Sequence, residues 1–122
     1  MARILIVEDN PTNMTLAVFL LQSAGHTVLT ATDAEAGLTL ARSGRPNLIL
    51  MDIQLPGIDG LEATVELKRN EATRDIPVIA LTALAMKGDE ERIRAAGCDG
   101  YIAKPMRYEA FLATIAAHLA GT

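Results

Sequence analysis

The sequence predicts a doubly wound α/β domain in which five parallel strands, in the spatial order 2-1-3-4-5, alternate with five helices. Three observations predict it. Short aliphatic runs recur along the chain, with room for one helix between each pair. The runs are continuous rather than alternating, as in parallel strands buried on both faces. The gaps between them carry helix start and stop signals. Right-handed crossovers then leave few arrangements, and 2-1-3-4-5 is the common one.

The first run is Ile4-Leu5-Ile6-Val7. Asn10 is a good N-cap after it, and Pro11 suits the first helical position, where its missing N–H is harmless. Met14, Ala17, Val18 and Leu21 follow helical spacing, and Gly25 closes that helix. The second run, Thr27 to Ala31, is the least apolar. Thr32-Asp33-Ala34-Glu35 has capping-box form, with Gly37, Leu40 and Ala41 on one face and Gly44 as the stop. The third run is Leu48-Ile49-Leu50-Met51, and a helix from about Gly60 to Arg69 should point Leu61 and Val65 inward. The fourth run is Val78-Ile79-Ala80-Leu81. Its helix, about Ala85 to Ala96, is mostly polar, with Met86 and Ile93 as its main apolar contacts. The fifth run is Tyr101-Ile102-Ala103. The last helix follows Pro105 and turns Phe111, Leu112, Ile115 and Leu119 to the sheet.

Composition narrows the function. The chain has 122 residues, enough for one domain, and half of them are hydrophobic, so a core forms without disulfides or a structural metal. Its single cysteine excludes a disulfide framework and a cysteine-based zinc site. With 15 acidic against 11 basic residues, the net charge of −4 argues against nucleic-acid binding. No apolar run approaches the roughly 20 residues of a membrane helix. The N-terminal run meets Glu8-Asp9 too soon for a signal peptide. A soluble, cytoplasmic domain is expected.

The polar residues at the strand ends carry the chemistry. In the 2-1-3-4-5 order, a crevice lies beyond the carboxyl ends of strands one and three. Strand one ends at Glu8-Asp9, strand three at Asp52, strand four at Thr82 and strand five at Lys104-Pro105. Capping explains one or two of these, but not a lysine before proline or a Glu-Asp pair. Three carboxylates at one edge repel each other, so one is protonated or a cation sits among them. Carboxylate oxygens without His or Cys favour Mg²⁺, with Mn²⁺ as substitute. Lys104 is a point-charge phosphate binder and Thr82 a hydroxyl donor. The set describes a site for a phosphoryl group, with an aspartate as nucleophile.

Four segments, Ile4–Asn10, Leu48–Gly57, Ile76–Ala83 and Tyr101–Pro105, occur in an order and at separations that resemble the receiver domain of bacterial two-component response regulators. The likeness runs over essentially the whole chain, and it implies the flavodoxin-like receiver fold. The stretch 85–94 is further similar to single-domain cell-division and cell-fate regulators. The resemblance implies that Asp52 accepts a phosphoryl group from a phosphohistidine. It implies that Asp9, Asp52 and the backbone carbonyl of Gln54 ligate Mg²⁺, with Glu8 reaching the metal through a water. Thr82 and Lys104 would hold phosphoryl oxygens, the Lys104–Pro105 bond would be cis, and Tyr101 matches the aromatic switch position. Gln54 and Leu84 would tune hydrolysis. An apolar Leu84 cannot orient a water, so self-dephosphorylation should be slow.

The expected mechanism follows. Mg²⁺ and Lys104 offset the repulsion between a carboxylate and a phosphoryl group. The new charge draws in Thr82, Tyr101 turns inward, and the fourth helix, with its thin apolar face, shifts. Moving such an equilibrium from ~1% to ~99% requires about 5.5 kcal/mol of differential interaction. Expected partners are a histidine kinase, a histidine phosphotransfer protein, and a downstream protein on the face of helix four, strand five and helix five, where Lys87, Tyr101 and Tyr108 are candidate contacts. A monomer or weak dimer is expected, as a free-standing domain spanning 1–122 with no output domain.

Two other readings compete. One is a receiver excised from a hybrid histidine kinase. The other is a haloacid-dehalogenase-like phosphatase, which needs a second Asp two residues after its nucleophile; Gln54 stands there and cannot titrate. Cys98 reads as a small packed residue, His26 and His118 as isolated surface residues, and Met14, Met51 and Met86 as core.

Overall fold

The computed structural model describes residues 2–55, 57–83, 87–104 and 106–120. The elements alternate throughout: β1 (Arg3–Val7), α1 (Pro11–Ser23), β2 (Thr27–Ala31), α2 (Ala34–Gly44), β3 (Leu48–Asp52), α3 (Gly60–Arg69), β4 (Val78–Thr82), α4 (Lys87–Ala95), β5 (Gly100–Ala103) and α5 (Tyr108–Ala120). The strands form one sheet in the order β2-β1-β3-β4-β5, and every pairing is parallel. The predicted architecture and strand order therefore hold.

Alternation along each strand sorts the core into two layers. Ile4, Ile6, Leu48, Leu50, Ile79 and Leu81 meet α1 and α5 through Ala17, Leu21, Phe111 and Ile115. Leu5, Val7, Ile49, Met51, Val78 and Ala80 meet the other three helices, through Leu38 of α2, Leu67 of α3 and Ile93 of α4. All five residues of β3 and of β4 are buried. β2 is an edge strand, and only Ala31 of its five residues is buried.

The caps are largely as predicted. The Asn10 side chain accepts from the Asn13 amide with Pro11 at the helix start, and Gly25 follows the helix at φ 90°. In α2 the cap is Asp33, which accepts from the Ala36 amide, rather than Thr32. The stop is also one residue later than expected. Gly44 is the last helical residue, and Arg45 adopts the left-handed conformation at φ 45°. Gly44 is small for another reason, since a Cβ there would stand 2.6 Å from Leu29 Cδ1.

Two inward faces also differ. Leu38, not Leu40, is the buried leucine of α2, and Leu40 is only half-buried. In α3 the buried residues are Gly60, Ala63, Thr64 and Leu67, while Leu61 and Val65 are half-buried. The helix lies so close to the sheet that small side chains occupy its inner face. Ile93 is the buried apolar residue of α4, which is the thin face expected. Leu84, Met86, Pro105 and the Lys87 side chain lie outside the described residues. So do the isomer of the Lys104–Pro105 bond and any contact of Leu84.

Candidate functional site

The parallel sheet brings the carboxyl ends of its strands to one edge. Hydrogen bonds of the sheet continue past the strand ends and aim the side chains there. The Glu8 amide donates to Ala31 O at 3.0 Å, the Ile53 amide to Leu81 O at 3.2 Å, and the Lys104 amide to Thr82 O at 2.7 Å. Glu8, Asp52 and Thr82 are buried, at 0%, 2% and 0% exposure, and Asp9 is exposed at the mouth. One carboxylate oxygen from each of Glu8, Asp9 and Asp52 lies within 4.8 Å of the other two.

Lys104 enters this cluster from the end of β5. Its Nζ lies 3.0 Å from Asp52 Oδ2, to which it donates, and 2.9 Å from Glu8 Oε1. The second contact is an ion pair without hydrogen-bond alignment. Glu8 Oε1 is thus a buried oxygen with no hydrogen bond among the described residues. Glu8 Oε2 accepts from the Asn10 amide at 3.2 Å. Asp52 Oδ1 accepts from the Gln54 amide at 2.9 Å.

The electrostatics follow from this crowding. Burial, and then contact with the Asp52 carboxylate, push Glu8 from the ordinary 4.5 up to about 7 against the opposing pull of Lys104. Burial works against the charge on Lys104, but Glu8 and Asp52 outweigh it and hold the ammonium above the usual lysine range. Three carboxylates against one ammonium leave an excess of negative charge, with one buried oxygen lacking a hydrogen bond. All the donors are hard oxygens. The residues present therefore fit a divalent cation of the Mg²⁺ or Mn²⁺ type.

The structure thus brings Glu8, Asp9, Asp52 and Lys104 together and seats Thr82 one strand over, where Asp52 pairs with Leu81. Tyr101 is half-buried, packed against the layer that holds Ala80. Gln54 is exposed, and its amide fixes the Asp52 carboxylate, a contact the sequence does not reveal. The sequence reading also missed the outer face of α1, where Phe19 is 65% and Leu16 39% exposed beside Pro11, Thr12 and Thr15. The available signal was that α1 is apolar all round rather than on one face.

Comparison with known proteins shows which family the chain falls in. The response regulator receiver domain family matches residues 4–116. The chain belongs to that family. This receiver domain is 51% identical over 116 residues to the polar-differentiation response regulator DivK of Brucella anthropi, across 95% of this chain and 94% of that protein. Among solved structures it resembles the receiver domain of sensor histidine kinase PA1611 from Pseudomonas aeruginosa, described with a magnesium ion coordinated in its active-site cleft. That likeness has a TM-score of 0.89 at 40% identity and covers 99% of this chain and 98% of that one. Vibrio cholerae chemotaxis protein CheY4 superposes with a TM-score of 0.91 at 27% identity, covering 96% and 98% of the two chains. The work of this receiver domain is phosphorelay signalling, and the phosphatase reading falls away.

Proposed function

We propose that Asp52 is the phosphoacceptor. A carboxylate oxygen of Asp52 attacks the phosphorus of a phosphohistidine, the P–N bond breaks, and the imidazole leaves with that electron pair. The observation that carries this reading is the buried Asp52 carboxylate at a parallel-sheet edge, ion-paired to Lys104 and flanked by two further carboxylates. Asp9, Asp52 and the Gln54 carbonyl would hold Mg²⁺, with Glu8 acting through a water. When bound, the metal supplies positive charge that offsets the repulsion between carboxylate and phosphoryl group. Lys104 holds one phosphoryl oxygen as an ammonium that stays charged, and Thr82 donates to another. The added charge biases Thr82, Tyr101 and the thinly anchored α4 toward a second arrangement.

In this reading the chain is a switch rather than a turnover enzyme. It catalyses its own phosphorylation and a slow loss of the acyl phosphate that Leu84 and Gln54 tune. Its phosphodonor is a histidine kinase or a histidine phosphotransfer protein. The exposed apolar face of α1 begins two residues after Asp9, and is the surface such a donor would cover. A downstream protein would read the α4–β5–α5 face, where Tyr108 is exposed. The greater identity to DivK than to the kinase receiver favours a cell-polarity regulator over a piece of a hybrid kinase. Among the described residues no helix is long and apolar enough to cross a membrane, which accords with a cytoplasmic place.

Acetyl phosphate with Mg²⁺ tests the reading. The wild type should gain one hydroxylamine-labile phosphoryl group, and Asp52→Asn none. Label on another residue, or its persistence in Asp52→Asn, refutes it. The acyl phosphate should outlast that of a Leu84→Glu variant, and decay within seconds would count against slow hydrolysis.

A further inference from the structure

Gly60 is the first residue of α3, directly after the Asp59 cap, and it is buried. A Cβ placed there would overlap the carbonyl oxygen of Asp52 and stand 2.7 Å from Ile53 Cα and 2.8 Å from the Asp52 carbonyl carbon. Among the described residues, Gly37, Gly44, Gly97 and Gly100 are also closely packed, but against side chains: those of Val7, Leu29, Lys68 and His118. At Gly60 the neighbour is backbone, and it is the peptide that joins Asp52 to Ile53.

Neither side of that contact is soft. Asp52 and Ile53 are tied to β4 by the strand register and by the Ile53 amide bond to Leu81 O. The first turn of α3 is tied by Asp59 Oδ1 accepting from the Glu62 amide at 2.9 Å and by the buried Thr64 hydroxyl donating to Gly60 O at 2.8 Å. Adding one carbon requires a separation on the order of 1 Å, a displacement that costs up to about a hundredfold when it falls on reacting groups.

We propose that Gly60 is a positioning residue, whose lack of a side chain lets α3 close on the Asp52–Ile53 peptide and so sets where the Asp52 carboxylate stands relative to Lys104, Asp9 and the Gln54 amide. The proposal deepens the reading of Asp52 as phosphoacceptor and rests on it for the labelling result alone.

Three variants test it against wild type. Gly60→Ala adds the clash. Gly44→Ala adds a carbon 2.6 Å from Leu29 Cδ1, a milder clash with a side chain of β2 rather than with the Asp52 backbone. Asp59→Ala removes the cap and loosens the same helix end without adding volume. Each is measured for urea stability, for Mg²⁺ affinity by amide NMR, and for labelling by acetyl phosphate. Gly60→Ala should weaken Mg²⁺ binding roughly tenfold or more, as loss of supporting contacts does at metal sites. Its labelling should fall in parallel, and the Asp52 and Gln54 amide signals should move. Gly44→Ala and Asp59→Ala should lose stability while keeping affinity within about threefold.

Wild-type affinity and labelling in Gly60→Ala overturn the proposal, as do losses in all three variants that simply track stability. Should Gly60→Ala not fold in buffer, it is measured in sucrose, which favours compact states. A chain still unfolded there also overturns the proposal, because the glycine would then be needed for folding. Wild type that binds Mg²⁺ but takes no label, with Gly60→Ala still weak for Mg²⁺, retains positioning and sinks the phosphoacceptor reading.

Discussion

Replacing Lys104 with methionine keeps most of the length of the side chain and removes the ammonium that, among the described residues, contacts both buried carboxylates. Charges 2.9 and 3.0 Å apart attract by about 5.5 kcal/mol per pair at an effective dielectric near 20. The desolvation of Lys104, whose side chain is 14% exposed, offsets part of this, and broken buried pairs typically cost about 3–5 kcal/mol. The cost should depend on pH. Near pH 5.5 Glu8, with its value of about 7, is protonated in both proteins, and mainly the Asp52 pair is lost. Near pH 8 Glu8 is largely ionised in the wild type. In Lys104→Met it must hold its proton or sit unpaired, which adds about 1 kcal/mol at pH 8 if its pKa rises one unit and at most about 1.4 kcal/mol however far it rises. Urea unfolding followed by circular dichroism in chelator should give a penalty of about 2–3 kcal/mol at pH 5.5, larger by at least about 1 kcal/mol at pH 8. A penalty that is flat or falling with pH, or under about 1 kcal/mol at pH 8, would refute this account of the cluster.

Because Glu8 is raised to about 7, Mg²⁺ must displace its proton, so calorimetric affinity should rise between about pH 6 and pH 8 and level off above; an affinity independent of pH contradicts this. The same raised value means that Glu8 favours the folded, metal-free protein fully only below 4.5, and that this contribution is lost as pH climbs through about 7. His26 runs the other way. Burial and the chain's amino terminus lower its pKa, and its Nδ1 accepts from the Ala2 amide at 3.2 Å. That contribution is present above 6.5 and lost as pH falls through the lowered value, so His26→Gln should flatten the acid limb of the stability curve. Phe19→Ala should slow phosphotransfer from a histidine-bearing protein roughly tenfold or more while leaving labelling by acetyl phosphate unchanged; equal effects on both would remove α1 from the donor interface.

The sheet was legible because its signals are local and redundant. Strands such as Leu48–Met51 have no polar residue to place elsewhere, and Asn10, Asp33 and Asp59 each sit one residue before a helix. The inner faces were harder to read. Hydrophobicity pointed to Leu61 and Val65, but the approach of α3 to the sheet at Gly60 selects Ala63 and Thr64, a distance no single residue announces. Gly44 reads as a stop, yet its lack of a Cβ serves the contact with Leu29, and Arg45 takes the left-handed angle. His26 and His118 read as isolated, but His26 binds the Ala2 amide, and the His118 ring lies between Thr114 O and Asp99 O. Within the site, residue types named the chemistry. Full burial of Glu8 and its pairing with Lys104 came only from the packing of three strand ends.

The separation of the core into two layers has a consequence for how this protein can vary. Ile6 and Val7 are adjacent along the chain but pack against different sets of helices, so a substitution at either one disturbs the side-chain packing of one layer first. One layer holds α1 and α5, the other α2, α3 and α4, and the central strands contribute alternate residues to both. A change in α1 that reaches Phe111 or Ile115 is therefore passed to α5 through their common layer, while α4 feels it only across the sheet.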